Sequence, residues 1–518
     1  MDAAEFRVEG KKMIDIVADY WDTLREKRKP LSDVKPGYIT SLVPEKPPSM
    51  PEEWSKIYDD LEKVIFNGST HWHHPNFHAY FPTGQSYHSI MADILSAGIS
   101  SISFTWIAGP SSTELEKSVL DWLVVLLDLP PIFKNSHPGP GCGIIQSTAS
   151  EATLIAVFTA RASKVEQIKR EPTWTKWITD TDIGKKLKNL LSWNNDKRKE
   201  IHEPHGIITP YYHDPSVFIR FVMYFCDQAH SSVEKAAMLS GVRYRKLKGT
   251  REYLGNYGLD PDVLEDAIKE DKAKGYIPFM LVTTLGTTTT CGVDQIDRLG
   301  PICQREGLYL HVDAAYAGAF TFSEEFRYLI KGLEYVDSYN FNMHKAGMTT
   351  FDCSPMWFKN GTYASRYFNI DAVYLSHEYQ STSTDFRHLE IPLGRRFRSL
   401  KLWFLLRNYG VEKVKAYQKK TVDLAKEFSI LIIEDGRFEL FVPVHLGLVA
   451  FRLKHHTNAD NEKLSLAITK DRRIHMVPST VHGTFILRFV VSNQHTNSQD
   501  ILFARNVIYE LTDQLFKK

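Results

Sequence analysis

Several features that would define a function are missing from this 518-residue chain. Its five cysteines are widely spaced and form no CxxC pair, which argues against a disulfide framework or a zinc cage and favours a reducing compartment. The 63 basic and 62 acidic residues leave no net charge to attract nucleic acid or anionic lipid. The most apolar run, residues 119 to 129, is interrupted by Asp121 and Asp128, and the first residues lack the layout of a signal peptide. We therefore expect a cytoplasmic protein that binds neither nucleic acid nor membrane.

Composition and patterning divide the chain, which is 43% apolar and 24% charged, into three regions typical of a globular protein. Residues 1 to 85 contain amphipathic helix candidates at 3 to 27 and 51 to 66, which predict an N-terminal helical segment. Residues 86 to 400 alternate strand and helix signals and predict a large α/β domain with a mostly parallel sheet. Residues 401 to 518 predict a small C-terminal α+β domain. The strands expected in this last region are 438 to 442, 447 to 453 and 486 to 491.

One segment interrupts the alternation of the large region. Residues 164 to 212 have few aliphatic side chains and a basic cluster at 196 to 199. We interpret the segment as a solvated surface insertion, because long insertions are well tolerated in surface loops. A partner-binding role is the alternative.

The order of helices and strands places one carboxylate at a sheet edge. Asp260 and Pro261 predict the start of a helix that Gly275 ends before a strand at 277 to 284. A second helix, 294 to 305, then leads into a strand at 308 to 312. Asp313 therefore follows the carboxyl end of a strand, where open α/β sheets bind their ligands.

A lysine follows the next strand pattern, at the end of the stretch Tyr339 to Lys345. A deprotonated lysine amine reacts with an aldehyde cofactor, and an aspartate beneath a pyridine nitrogen keeps that nitrogen protonated. Such an ion pair near 4 Å contributes about 4 kcal/mol at an effective dielectric of about 20, or roughly three pKa units. Lys345 and Asp313 therefore suggest a pyridoxal phosphate enzyme. Taken alone, the pair His344-Lys345 is more typical of a solvated strand end.

Small residues at 139 to 150 precede a predicted helix, Ala152 to Arg161. Backbone N–H groups at such a helix start bind anions, which suits a cofactor phosphate. A capping box from Thr148 to Glu151 is the simpler interpretation. Both can hold together, since a cap would orient the amides that the phosphate uses.

Seven short motifs occur in order along the chain. They are residues 70–75 (THWHHP), 79–83 (AYFPT), 227–234 (DQAHSSVE), 285–289 (LGTTT), 311–316 (HVDAAY), 341–345 (FNMHK) and 391–396 (IPLGRR). In these motifs the chain resembles the group II pyridoxal phosphate-dependent amino acid decarboxylases, especially aromatic L-amino acid decarboxylases. The resemblance covers nearly the whole chain except 164 to 212. It implies an α/β fold of fold type I, similar to aspartate aminotransferase, and pyridoxal 5'-phosphate as cofactor.

The resemblance also implies roles for individual residues around the cofactor. Lys345 would carry it, Asp313 would pair with the ring nitrogen, and His230 would stack over the ring. Tyr374 would be the acid of a mobile loop and completes the catalytic set. The remaining cofactor contacts would come from Ala149, Ser150, Thr288, Asn342 and His344. Without the family motif, a helix-start role for His230 satisfied by backbone would be preferred.

The same resemblance implies a substrate pocket shared between subunits. Ile102 and Phe104 would enter the neighbouring subunit's pocket, which makes the active unit a homodimer with active sites at the subunit interface. The other substrate contacts would be Trp72, Tyr80, Phe81, Pro82, Thr83 and Gly394. The histidines near Trp72 lack the HExxH spacing of a zinc site, so no metal is expected.

Gly394 points to the substrate class, because related histidine decarboxylases have serine at this position and aromatic decarboxylases have glycine. We expect Dopa, 5-hydroxytryptophan or tyrosine to be converted to the amine and CO₂. Two departures, Ala346-Gly347-Met348 and Leu389 where the family has tryptophan, predict a reshaped pocket. An aldehyde synthase is the alternative enzyme, although its marks, Asn at 230 in insect relatives or Phe at 374 in plant relatives, are not present. A histidine decarboxylase and a non-catalytic dimeric paralogue are further alternatives.

Overall fold

The computed structural model describes residues 1–170, 201–202, 208–209, 213, 218–370, 372–380 and 382–516. They divide into two compact units, one made of residues 1–82 and 419–518 and the other of residues 83–418. Most of the predicted insertion lies outside the described residues. The domain boundaries at 85 and 400 remain predictions.

Helices occur in both units. In chain order they are α1 (Ala3–Asp22), α2 (Leu24–Lys27), α3 (Trp54–Asp60), α4 (Tyr87–Ile99), α5 (Pro110–Leu126), α6 (Ala149–Arg170), α7 (Ser231–Ser240), α8 (Pro261–Ala273), α9 (Ile296–Glu306), α10 (Thr362–Phe368), α11 (Ser399–Phe404), α12 (Val411–Ile433), α13 (Asn458–Asp471) and α14 (Ser498–Phe516). The helix α12 contains the boundary between the two units.

Strands also occur in both units. In chain order they are β1 (Cys142–Gln146), β2 (Ile201–His202), β3 (Ile208–Thr209), β4 (Phe221–Cys226), β5 (Arg243–Leu247), β6 (Thr250–Tyr253), β7 (Asn256–Gly258), β8 (Ile277–Thr284), β9 (Tyr309–Asp313), β10 (Ser338–Asn340), β11 (Ser354–Phe358), β12 (Phe438–Leu440), β13 (Leu448–Leu453), β14 (Val477–Val481) and β15 (Thr484–Val490).

The unit of residues 83–418 is built on a mostly parallel sheet, as the sequence predicts. Among the described strands the order is β1-β11-β10-β9-β8-β4-β5, with β11 antiparallel to both of its neighbours. Thr284, Asp313 and Asn340 are register partners at the last positions of β8, β9 and β10. The carboxyl ends of these strands therefore meet at one edge, with Asp313 in the centre.

The helix α6 covers this sheet and is longer than predicted at both ends. It begins at Ala149 rather than Ala152 and continues past Arg161 to Arg170. Val165 and Ile168 are buried in the hydrophobic core beneath it, because the apolar pattern continues into the segment interpreted as an insertion. The first residues of that segment thus belong to the core.

The sequence signals predict the start of α8, before β8, correctly, but they misplace the start of α9, which follows β8. The side chain of Asp260 caps α8 by accepting from the N–H of Asp262 at 2.8 Å, and Pro261 is the first helical residue. The helix α9 starts at Ile296, two residues later than predicted. The Asp294 carboxylate instead accepts from the N–H groups of Leu259 and Thr284, both at 2.7 Å, so a tertiary contact displaces the expected helix start.

The other unit contains an antiparallel sheet of order β12-β13-β15-β14 among its described strands. The helices α13 and α14 and the second part of α12 contribute its core, where Phe428 stacks on Phe489 with ring centroids 3.6 Å apart. The three predicted strands of this region are confirmed as β12, β13 and β15. The strand β14 was not predicted, because Pro478 interrupts its pattern. Proline is tolerated there because β14 is an edge strand.

Candidate active site

The segments that follow the carboxyl ends of the central strands bring the predicted cofactor residues to one sheet edge. His230 follows β4, Thr288 follows β8, Asp313 ends β9, and Lys345 follows β10. The strand β1 runs in the same direction as β10, since both are antiparallel to β11, so the start of α6 emerges at this edge too. This is the edge at which open α/β sheets bind ligands.

Lys345 lies in a tight turn whose surroundings favour the neutral amine. The side chain is half-buried, and desolvation lowers the pKa of its amine below the ordinary value, while Asp313 opposes this shift. A neutral amine is the nucleophile that attacks an aldehyde. The local environment therefore activates Lys345.

Asp313 is buried, with 3% of its surface exposed, and sits at the end of β9. The N–H of Ala315 donates to its Oδ1 at 3.0 Å. Burial raises the pKa of this carboxyl, and the charges of Lys345 and His230 act in the opposite direction. A cationic ring nitrogen placed against Asp313 would offset the cost of burying its charge.

His230 has the helix-start role that its local sequence predicts, and this role uses only one of its two ring nitrogens. It is the N-cap of α7, and its Nδ1 accepts from the N–H of Ser232 at 3.2 Å. This contact assigns the ring proton to Nε2 in the neutral tautomer. Desolvation lowers the pKa of His230, and Asp313 and Lys345 both act on it electrostatically. The ring is therefore near both groups and favours the neutral form.

The start of α6 supplies N–H groups for an anion. Ala149 is buried and Ser150 is exposed, and both lie in the first turn, where N–H groups have no partner within the helix. Thr148 Oγ1 accepts from the N–H of Glu151 at 3.2 Å, as in a capping box. The Glu151 carboxylate, however, accepts from the N–H and hydroxyl of Ser147 rather than from the N–H of Thr148. The Glu151 half of the capping box is therefore shifted by one residue, to Ser147. The N–H groups of Ala149 and Ser150 are not used by this cap.

The predicted residues Asn342 and His344 are both buried after β10, and Thr288 is half-buried in the turn after β8. The side-chain oxygen of Asn342 has no hydrogen-bond partner in the described chain, which fits a polar group supplied by a ligand. His344 Nδ1 accepts from the N–H of Cys353 at 2.8 Å, and burial lowers the pKa of the ring to about 3. Its proton is thus assigned to Nε2, a donor suited to an anion.

Two residues that the sequence patterns did not identify hold the turn around Lys345. The Gly84 N–H donates to the carbonyl of His344 at 2.6 Å, and a β-carbon at Gly84 would lie 2.4 Å from the carbonyl oxygen of Lys345. Gln418 Nε2 donates to the carbonyls of Ala319 and Ala346 at 2.9 and 3.0 Å. Ala346 is buried, so its small side chain belongs to the support of the turn. The one sequence signal for Gly84 was its position directly after the predicted pocket residues Pro82 and Thr83.

Tyr374 is not among the buried groups of the sheet edge. It lies in a short 3₁₀ turn, Val373–Leu375, with 81% of its surface exposed. Ile102, 55% exposed, and the half-buried Phe104 lie in the segment after α4. Gly394 is next to Ile102, since a β-carbon at this position would lie 3.3 Å from Cγ2 of Ile102. All four residues belong to the unit of residues 83–418.

Of the other predicted substrate residues, Thr83 is half-buried in the same unit as Lys345, and four belong to the other unit. There, Trp72 and Tyr80 stack with ring centroids 5.3 Å apart while both stay partly exposed, at 39% and 45%. Tyr80 has a φ of 60°, a left-handed conformation that is uncommon for an aromatic residue and is often found at functional sites. The ring centroid of Phe81 lies 5.6 Å from the guanidinium carbon of Arg488, and Pro82 is buried. The stacked pair presents an aromatic surface.

The histidines near Trp72 make contacts of their own. His71 Nδ1 is 2.8 Å from the hydroxyl of Tyr20, His73 stacks on Trp21, and His78 stacks on Phe489. Burial lowers the pKa of His71 to about 4, so the ring is neutral near pH 7. In the part of the chain that the structure describes, no cluster of three or more metal-binding side chains occurs.

Comparison with known proteins agrees with this geometry. A family model described as the pyridoxal-dependent decarboxylase conserved domain matches residues 36–188 and 178–454. The chain belongs to this family. An aromatic-L-amino-acid decarboxylase of Rattus norvegicus is 42% identical over 519 residues, which cover 100% of this chain and 99% of the relative.

Two solved structures extend the comparison. Tryptophan decarboxylase of Catharanthus roseus, solved with L-tryptophan, has a TM-score of 0.85 at 33% identity and covers 100% of this chain and 99% of its own. The 4-hydroxyphenylacetaldehyde synthase of Rhodiola rosea has a TM-score of 0.83 at 29% identity, with 99% of each chain covered. The family and these structures confirm the predicted fold, the pyridoxal phosphate decarboxylase fold of type I.

Membership in the pyridoxal-dependent decarboxylases makes the chain a carboxy-lyase with pyridoxal 5'-phosphate as its cofactor. The described residues fit this group: an activated lysine, a buried carboxylate and the start of a helix converge at one sheet edge. Within the described ranges, no helix combines the length and apolar character needed to cross a membrane.

Proposed function

We propose that this pyridoxal-dependent decarboxylase converts an aromatic L-amino acid, namely Dopa, 5-hydroxytryptophan or tyrosine, to the amine and CO₂. The observation that carries the proposal is the convergence of Lys345, Asp313 and His230 at the carboxyl edge of the sheet. The relatives named above, whose names specify aromatic amino acids, support the substrate class.

The proposed cofactor site uses residues from each of the segments at this edge. Lys345 would bond to the cofactor, Asp313 would face its ring nitrogen and His230 would lie against the ring. The start of α6 would hold the phosphate, because amides and buried side chains there can donate hydrogen bonds. The residues proposed for these remaining contacts are Ala149, Ser150, Thr288, Asn342 and His344.

The bound cofactor supplies an electron sink that accepts the electrons released when CO₂ leaves the substrate. Desolvation lowers the pKa of Lys345 and so favours the neutral amine, the form that would hold the cofactor. Asp313 would keep a proton on the ring nitrogen, because its buried charge needs a cationic partner. His230, anchored through Nδ1 to Ser232, would limit the tilt of the ring and so help to orient the substrate bond that breaks.

Tyr374 is the proposed proton donor to the carbon that has lost CO₂. Tyr374 is exposed, and the proposal requires the turn to move so that the hydroxyl reaches this atom, a closure that would also exclude water. The substrate ring is proposed to be bound by Trp72, Tyr80, Phe81, Pro82, Thr83 and Gly394 and, from the neighbouring subunit, by Ile102 and Phe104.

The proposed active unit is a homodimer with its active sites at the subunit interface. The helix α4 supports it, because one side of this helix exposes apolar side chains at helical spacing over three turns. These are Tyr87, Met91, Ile94, Leu95 and Ile99, each between 45% and 52% exposed. Ile102 and Ile107 extend the apolar surface beyond the helix. All five cysteines are thiols rather than halves of a disulfide, which fits the proposed cytoplasmic location, where thiols stay reduced.

A panel assay tests the proposed function. The purified protein, reconstituted with pyridoxal phosphate, is incubated with Dopa, 5-hydroxytryptophan, tyrosine, tryptophan and histidine, while amine, CO₂, aldehyde and peroxide are measured together. We expect amine and CO₂ in equal amounts from a hydroxylated aromatic substrate. Turnover of histidine faster than every aromatic substrate would overturn the substrate class. Aldehyde and peroxide as the main products would instead favour the aldehyde synthase.

A further inference from the structure

A short exposed loop lies between two buried charged residues. Residues 391 to 394 are all exposed, and this loop carries Gly394 next to Ile102. Glu390 and Arg395, which flank it, are only 3% and 4% exposed. The Arg395 Nε and Glu390 Oε1 atoms lie 2.9 Å apart. These two residues, the closing pair, join the ends of the loop.

Arg395 also fastens the closing pair to the core beside the cofactor site. Its NH2 group donates to Glu116 Oε1 at 2.7 Å and to the carbonyl of Ile145 at 3.1 Å. Glu116 Oε1 accepts in addition from the N–H of Ile145 at 2.7 Å. Gln146 Nε2 donates to the carbonyl of Leu389 at 2.9 Å. The loop is thus tied to the end of β1, the strand that leads to the start of α6.

The charges of this cluster are unequal, because two buried carboxyl groups face one fully enclosed guanidinium. The groups that act on Glu390 are Arg395, Glu116 and, less strongly, Arg398, whose own guanidinium pairs with Asp352 at 3.0 Å. Burial is the main cause that raises the pKa of Glu390 to about 8, and the charge of Glu116 adds to it. Two carboxyl groups therefore share one guanidinium, and burial favours the protonated form of Glu390.

We propose that Glu390 is a positioning residue that sets the affinity for the aromatic substrate by closing the loop of residues 391 to 394, and that its ionisation loosens this closure. The proposal rests on the proposed function, in which Gly394 and Ile102 contact the substrate ring. Loss of the Glu390 proton places a second carboxylate in a desolvated site that offers one guanidinium, so opening the base of the loop to water becomes more favourable. The Ile102 to Gly394 surface shifts with it, while the groups that perform the chemistry stay in place.

The test compares wild type, Glu390→Gln and Glu390→Ala as reconstituted holoenzymes. Glutamine has the shape of the protonated acid and cannot ionise. Between about pH 7 and about pH 9 we expect the ratio of the wild-type KM to the Glu390→Gln KM to rise roughly threefold or more, with kcat in a constant ratio. Glu390→Ala should raise KM about tenfold at neutral pH with kcat within about twofold, because Arg395 loses one carboxyl partner.

A second readout needs no turnover. Chymotrypsin cleavage after the exposed Leu393 reports on the loop directly, and we expect Glu390→Ala to be cut several-fold faster than Glu390→Gln. Wild type should approach the alanine variant as the pH passes about 8. Glu412→Gln, at a site where the glutamate is 85% exposed, is the control and should behave as wild type.

The outcomes separate the two proposals. If no aromatic amino acid is consumed but cleavage follows Glu390, the proposed function fails and the closing pair stands as a structural device without a role in affinity. If Glu390→Gln keeps the wild-type pH dependence of KM and of cleavage, the inference is wrong even when decarboxylation is observed. A loss confined to kcat would overturn it as well.

Discussion

Two regions of residues 83–418 are proposed to act on one substrate, and they differ sharply in burial. Asp313 at the sheet edge is 3% exposed and lies between paired strands, whereas Tyr374 is 81% exposed in a turn outside the sheet. Burial gives the edge its chemistry, because desolvation lowers the pKa of Lys345 and raises that of Asp313. Tyr374 is not enclosed in this way.

The comparison indicates a division of labour. A preorganised edge can bind and activate the cofactor without any movement, since its groups are held by the strand ladder. The turn is proposed to act only after it moves, which assigns it to a later event, the protonation of the product carbon. Changes at the edge should therefore abolish the reaction, and changes in the turn should redirect it.

The largest expected effect comes from the centre of the edge. Lys345→Ala removes the amine that carries the cofactor and should lower the rate by at least about 10⁴-fold, with loss of the absorbance band of the lysine-bound cofactor. Spectra and thermal shifts with and without pyridoxal phosphate measure this. Lys415→Ala, on the surface of α12, is the control. A wild-type protein without the band and without a cofactor-dependent thermal shift would contradict the assignment.

A smaller loss is expected from the carboxylate. Asp313→Asn keeps the shape but removes the charge, and an ion pair of about 4 kcal/mol corresponds to roughly 10³-fold in kcat. Cofactor binding should weaken much less, because the lysine and the phosphate contacts remain. Asp266→Asn, on the exposed side of α8, serves as the matched control. A variant with wild-type kcat would mean that the ring nitrogen needs no charged partner in this enzyme.

The turn should show a change of product rather than a loss of reaction. Tyr374→Phe removes the proposed acid, so amine formation should fall by about 10²-fold, within the range of general acid catalysis. Substrate consumption should fall less, because aldehyde, ammonia and peroxide would form from the unprotonated species and oxygen. His230→Asn should move the products the same way by loosening the ring.

Tyr379→Phe provides the control for this prediction, because Tyr379 lies five residues after Tyr374 and has no proposed role. Its ring packs against that of Trp106, with centroids 4.8 Å apart. Amine and aldehyde are measured in one reaction with oxygen consumption. An unchanged product ratio in Tyr374→Phe would remove the distinction between the edge and the turn.

The same contrast explains what the sequence could predict. The strand Ile277–Thr284 and the position of Asp313 were predicted correctly, because buried parallel strands have strong local patterns. The start of α9 was misplaced, since Asp294 is held by two amides distant in sequence. The Glu116, Glu390 and Arg395 cluster was not predicted either, because an ion pair between residues 279 positions apart has no local pattern.

Site residues show the same limit. His230 and Lys345 were identified only through the family motifs, since each has a simpler local interpretation, and the helix cap at His230 is indeed present. Gly84 could not be identified, because its importance lies in its approach to the backbone of Lys345. Local patterns predicted the sheet edge, and the contacts that orient its groups required the tertiary structure.

The smallest expected effect lies at the proposed substrate surface, where specificity rather than chemistry should change. Gly394→Ser adds a β-carbon 3.3 Å from Cγ2 of Ile102, so Ile102 must yield by a few tenths of an ångström and the space for a large ring shrinks. The new hydroxyl can also bond to an imidazole, and together these effects should favour histidine over Dopa by about 1 to 3 kcal/mol. Gly394→Ala separates the two causes, because it shrinks the pocket without adding a hydrogen bond and should weaken Dopa without helping histidine. The ratio of kcat/KM values for the two substrates measures the change. If serine and alanine shift that ratio equally, steric exclusion alone sets specificity at this position.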